Sequence, residues 1–181
     1  MNISGTGIDG IMGMAFDNAD VWDAVSKAWG DEAAAAYART PISHLFAQNA
    51  SVPANFDVHL GRTLELDDTA PGIFVIGGHA DGFGAVAGMP ALVRVNDRHW
   101  SLVLDGMRVD GASFAFNASS TAGVPQGKVV AVLDTGYSWP PLPAAAVDAI
   151  YSTVEGALFD APTNQWIVPC NASTNLTFVF G

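Results

Sequence analysis

A carboxylate set at the end of an apolar strand constrains this chain more than any other feature. Lys128 to Leu133 is a Val- and Ala-rich run that leads directly into Asp134-Thr135-Gly136-Tyr137-Ser138. Branched side chains favour extended backbone because they fit a pleated surface, so the run predicts a strand. A charge at its end is stable only where hydrogen-bond donors replace lost water. Gly136 lets the backbone approach closely and turn its amides toward the carboxylate, and Thr135 has a hydroxyl that can brace the loop. Such a turn presents Asp134 but does not activate a water on its own. Taken alone, the triplet is also three common turn residues, so its meaning depends on the rest of the chain.

The surrounding pattern is that of an antiparallel β protein. Phe56, Val58 and Leu60 alternate with polar neighbours, and Ile73 to Ile76 is a short buried-strand run closed by Gly77-Gly78. Ala91 to Val95, Trp100 to Leu104 and Met107 to Val109 read as further strands, with Asp105-Gly106 as a tight turn. Trp166 to Val168 and Leu176 to Phe180 are two more, joined through Cys170. Helices are few. Ala19 to Ala38 favours helix, with Asp20 as cap and Gly30 as a break; Pro41 opens a second helix capped by Thr40; Pro143 opens a third that Gly156 ends.

Composition narrows the function classes. Seven Lys and Arg against 18 Asp and Glu give a net charge of -11, which repels a phosphate backbone and excludes nucleic acid as a partner. No apolar run reaches the length of a membrane span, and Met1 to Gly5 lacks the basic start and apolar stretch of a signal peptide. Yet Asn-X-Ser/Thr acceptors begin at Asn2, Asn49, Asn117, Asn171 and Asn175, five of the nine asparagines. With 21 Ser and Thr in 181 residues, chance supplies about one such acceptor, so these five predict glycosylated loops and a secretory route. The lone Cys170 predicts a partner outside the sequence. Together these features predict that the chain is part of a longer protein.

Other chemistries lack their residues. His44, His59, His79 and His99 have no metal-ligand spacing and no companion cysteines, so no metal or cofactor is expected. Gly77 to Gly84 has no following Lys-Ser/Thr and reads as a hairpin rather than a phosphate loop, and no Gly-X-Ser-X-Gly elbow is present.

In order along nearly its whole length, the chain resembles the pepsin-like aspartic endopeptidases, and most of all the secreted fungal ones. Gly10-Ile11-Met12-Gly13-Met14-Ala15-Phe16 is similar to the family's Gly-Ile-Leu-Gly-Leu-Ala-Tyr run, and Pro41 to Gln48 to the helix that follows it. Phe56-Asp57-Val58-His59-Leu60 resembles Phe-Ser-Val-Tyr-Leu, and Phe74 to Gly78 the next strand and its Gly-Gly turn. His99-Trp100-Ser101-Leu102-Val103-Leu104-Asp105 is similar to Tyr-Trp-Gln-Ile-Thr-Leu-Asp, and Val132 to Ser138 to the second lobe's aspartate turn.

This resemblance implies a mainly β, partial pepsin-like acid protease fold with a few short helices. Residues 1–85 would form the back half of the N-terminal lobe and 86–181 the front half of the C-terminal lobe. It implies Asp134 as one catalytic aspartate, supported by Thr135, Gly136 and Ser138, with Val132, Tyr137 and His99 lining the cleft for a polypeptide substrate. The first lobe's own aspartate and flap would lie upstream of Met1, and the partner of Cys170 beyond Gly181, so the chain alone is expected to be inactive and its parent secreted or vacuolar. Two departures stand out. Tyr137 occupies a place where the family has Thr or Ser, and its hydroxyl cannot serve the carboxylate as a short one does. His99 replaces a tyrosine and is either a cleft residue or an ordinary surface imidazole. A non-catalytic pepsin-like binding module, or a homodimer with one aspartate per chain, would also carry these residues.

Overall fold

A computed structural model describes residues 10–61, 72–117, 119–137 and 140–181. It is mainly antiparallel β with a few short helices, the architecture expected from the sequence. The backbone divides into two compact units, Met1–Ala91 and Leu92–Gly181.

The first unit opens with helices α1 (Ala19–Trp29), α2 (Asp31–Tyr37) and α3 (Pro41–Gln48). Asn18, not Asp20, caps α1: its side chain accepts the Asp20 N–H at 2.8 Å, which leaves Asp20 in the first turn where a negative charge suits the helix dipole. Gly30 breaks the stretch as expected, with φ at 91°. Thr40 caps α3 and Pro41 begins it. The Asp17 carboxylate accepts the Thr40 N–H at 2.7 Å, tying the chain before α1 to the start of α3.

Strands β1 (Phe56–His59) and β2 (Ile73–Ile76) pair antiparallel, Phe56 opposite Ile76 and His59 opposite Ile73. Leu60 lies past the strand end. The glycines of 77–84 do not close a hairpin. Gly77 takes a positive φ of 76° and lies so close to Val52 that a side chain there would clash, and the chain goes on through a turn into a single 3-10 turn at Gly84–Gly88.

The second unit holds β3 (Ser101–Leu104), β4 (Gly106–Val109), β5 (Ala112–Phe114), β6 (Val129–Val132), helix α4 (Ala144–Tyr151), β7 (Leu158–Asp160), β8 (Gln165–Ile167) and β9 (Leu176–Val179). Strand β3 pairs with β6, β4 lies between β5 and β9, and β7 pairs with β8, all antiparallel. Ala91 to Val95 is not a strand; it contributes one bridge, Arg94 to Leu102, and Val93 is 84% exposed. Nor is Asp105-Gly106 a hairpin turn, because β3 and β4 belong to different sheets and the chain crosses between them there. The tight turn is at Asp110-Gly111, with φ of 48° and 85°, joining β4 to β5. Likewise β8 and β9, on either side of Cys170, lie in separate sheets. Helix α4 ends at Tyr151, five residues before the Gly156 expected to end it.

Leu104, Met107, Val109, Phe116, Ala146 and Ile150 form a buried cluster, with Phe114, Val129, Ala131, Leu142 and Phe180 against it. This core draws on β3, β4 and α4, while β6, which carries the aspartate turn, lies against it through Val129 and Ala131.

Candidate catalytic turn

The turn hangs from the β3–β6 pair. Ser101 faces Val132 and Leu104 faces Val129, and the pairing runs one step past both strands, where the Leu133 N–H donates to the Trp100 carbonyl at 2.8 Å. Ser101 is fully buried, and its N–H (2.8 Å) and hydroxyl (3.4 Å) both donate to the His99 carbonyl. The neighbour of the aspartate-bearing strand is therefore fixed where the turn begins.

Beyond Leu133 the chain bends outward. Asp134, Thr135, Gly136 and Tyr137 are exposed, and Val132 is 53% exposed. The Gly136 N–H donates to Asp134 Oδ1 at 2.9 Å, and the Tyr137 N–H to the Asp134 carbonyl at 3.4 Å. A Cβ at position 136 would stand 3.2 Å from Asp134 Oδ1, so the glycine permits the close approach expected of it. One carboxylate oxygen is thus oriented by a backbone amide at the end of a rigid strand. Such a group can accept or hold a proton, but cleaving an amide also requires an acid for the leaving group. Ser138, the remaining support residue expected from the sequence, lies outside the described residues.

His99 is exposed, with its backbone N–H held by Asn96 Oδ1 at 3.1 Å. His99 precedes Trp100, the last residue that pairs toward the aspartate-bearing segment, and its carbonyl is turned back to the Ser101 N–H. Val132 and the Asp134 turn follow one another at the end of β6, and His99 lies two residues before β3; no contact of His99 with Asp134 or Tyr137 is observed among the described residues. A recess of about 390 Å³ in the same unit, lined by Asp105, Arg108, Ser113 and Phe114 among others, contains none of them.

At the other end of β6, Lys128 Nζ donates to Asp105 Oδ1, and the Gly181 N–H donates to Asp105 Oδ2 at 2.6 Å. These bonds, Lys128 first and Gly181 second, hold the Asp105 carboxyl below its ordinary range. Asp17 is also held low: burial alone would raise it, but hydrogen bonds from the Thr40 backbone and from Ser43 and Thr40, together with the Arg39 charge, outweigh that effect. A third engaged carboxylate is Asp57. Its Oδ2 lies 3.0 Å from His79 Nδ1 and accepts the Ala80 N–H at 3.2 Å, bracing β1 against the segment after β2. The sequence placed Asp57 in a strand and His79 among histidines without metal-ligand spacing, and residues 22 apart carry no local signal of pairing.

Of the glycosylation acceptors, Asn49, Asn117, Asn171 and Asn175 are exposed, and Asn2 lies outside the described residues. Asn49 ends α3 with its side chain turned back to the Leu45 carbonyl at 3.3 Å. Asn175 leads into β9, its N–H donating to Asp110 Oδ1 at 2.9 Å. Cys170 is exposed with a free thiol. Among the described residues, no helix is long and apolar enough to cross a membrane.

The sequence model of eukaryotic aspartyl proteases matches residues 2–181. A comparison with curated proteins found no match.

Proposed function

The chain belongs to the eukaryotic aspartyl protease family, and on that premise we propose that it supplies one half of an acid endopeptidase site, with Asp134 as its catalytic aspartate. The observation that carries this reading is the exposed Asp134 carboxylate, held at Oδ1 by the Gly136 amide at the end of β6. Proteases of this family act on polypeptides. Two carboxylates about 3 Å apart share one proton, because both cannot ionise at that distance. The ionised one removes a proton from a water as its oxygen attacks the peptide carbonyl, and the protonated one stabilises the developing oxyanion. Collapse of the tetrahedral intermediate breaks the C–N bond, and the leaving nitrogen takes a proton from the pair.

The sequence contains one Asp-Thr-Gly, so the second carboxylate comes from chain outside these residues. In this reading residues 1–85 are the back half of one lobe and 86–181 the front half of the other, and the 181 residues are inactive alone. Thr135, Gly136 and Ser138 support the aspartate, and Val132, Tyr137 and His99 face the substrate. The five acceptors from Asn2 to Asn175 fit a secreted or vacuolar parent of the fungal type. A second reading, a binding module that keeps the cleft but not the chemistry, is favoured by the exposed Tyr137 where a short hydroxyl would serve the carboxylate.

Incubating the full-length parent with an unfolded protein at acid pH separates the two readings. Cleavage that a transition-state mimic of the aspartic class blocks is the expected result, and retention of the polypeptide without cleavage would establish the binder.

A further inference from the structure

We propose that the recess in the second unit binds a small organic monoanion, with the Arg108 guanidinium holding its carboxylate. Strand β4 is the middle strand of its sheet, paired with β5 on one side and β9 on the other. Met107 and Val109 are buried in the core, so the alternation of a strand turns Gly106 and Arg108 to the opposite face. Both line the recess of about 390 Å³, together with Ser113, directly opposite Arg108, and Val179, directly opposite Gly106. Side chains opposed in this way lie about 5 Å apart, so the guanidinium and the Ser113 hydroxyl can meet one ligand group. Gly106 leaves room beside them: a Cβ there would meet no atom within 4 Å.

The recess also holds a cation without a counterion. Among the described residues the Arg108 guanidinium has no hydrogen bond or ion pair, although the chain has 18 Asp and Glu against 7 Lys and Arg. Its cross-strand neighbours, Ser113 and Thr177, are uncharged. The carboxylates at the two ends of β4 are engaged elsewhere: Asp105, which also lines the recess, by Lys128 and the Gly181 amide, and Asp110 by the Asn175 amide. One guanidinium offers two parallel N–H donors to a planar carboxylate and balances a single negative charge. A dianion such as phosphate would keep an excess charge beside Asp105, which disfavours it. The carboxylate fills only part of the recess and leaves space for an organic body over Gly106 and Val179. Two sources supply this chemistry, the C-terminus of a peptide and a free short-chain acid.

The test is an NMR titration of the full-length protein at neutral pH with N-acetyl-trialanine, with the same peptide as its C-terminal amide, and with butyrate. The peptide acid is expected to bind with a Kd on the order of 1 mM, and the amide at least tenfold more weakly, the range for loss of a charge-assisted hydrogen bond. Butyrate that binds as tightly as the peptide acid assigns the site to free acids, and weaker butyrate assigns it to peptide termini. Arg108→Gln, at an exposed position, and Gly106→Val, which fills the recess where a side chain has room, should each weaken the acid about tenfold or more in a protein that keeps its folded spectrum. Should Gly106→Val not fold, Arg108→Gln decides alone. Equal binding of acid and amide overturns the proposal, as does binding of none of the three ligands. Undiminished binding of the acid by either folded variant places the carboxylate elsewhere and overturns it too.

Discussion

A methyl group added at Gly136 would stand 3.2 Å from Asp134 Oδ1, closer than comfortable carbon–oxygen contact, in the turn whose amide orients that oxygen. The turn is exposed, so it can yield with little cost to the fold, but the carboxylate moves with it. In the longer parent proposed above, Gly136→Ala is expected to lower kcat about tenfold while leaving the thermal midpoint within a degree or two, since small displacements of reacting groups cost far more in rate than in stability. A loss of melting temperature with kcat preserved would show that the glycine serves the fold instead. This turn was legible in the sequence because its chemistry is local: an apolar run, a carboxylate and a glycine two residues on. The two Asp-Gly pairs show where such reading stops. Asp105-Gly106 and Asp110-Gly111 are the same dipeptide, but only the second takes the positive φ values of a hairpin turn. What makes Asp105 different is distant in sequence, a lysine 23 residues on and an amide 76 residues on.

Elements were legible where they are long or rich in branched residues, as in β2, β3, β6 and the helices. Strands β5 and β7 have three residues each, too few to show alternation, and exist because β4 and β8 offer them partners. Ala91 to Val95 errs the other way: its composition suits a strand, but one bridge is all the pairing it finds. Between elements, the Asp105–Lys128 pair joins the β3–β4 crossing to the start of β6. A carboxyl held more acidic in the folded than in the unfolded chain stabilises the fold above the unfolded value, and loses that effect as pH falls through the folded one. Lys128→Met is therefore expected to lower the urea midpoint at neutral pH, and the gap to wild type should close in acid once Asp105 is protonated in both. A gap that stays constant with pH would mean that Lys128 contributes only the packing of its stem.

Over the whole molecule, the sequence pattern carried the fold class and the family, while the internal wiring of each unit needed coordinates. The charge of -11 and a pI near 4.3 mean that the chain sheds most of its negative charge under acid conditions. Asp17 in the first unit and Asp105 in the second, both held low by their partners, keep their hydrogen bonds and charge there longer than ordinary carboxylates would. All of this bears on function only if Asp134 is one of the two groups that share the proton. The most direct measurement is acid cleavage of an unfolded protein by the full-length parent and by its Asp134→Asn variant, with thermal melting to confirm that both are folded. Cleavage should fall by about 10²- to 10⁴-fold, the range for loss of a positioned acid–base group, with the melting temperature nearly unchanged. A folded Asp134→Asn variant that cleaves as fast as the wild type would contradict the assignment.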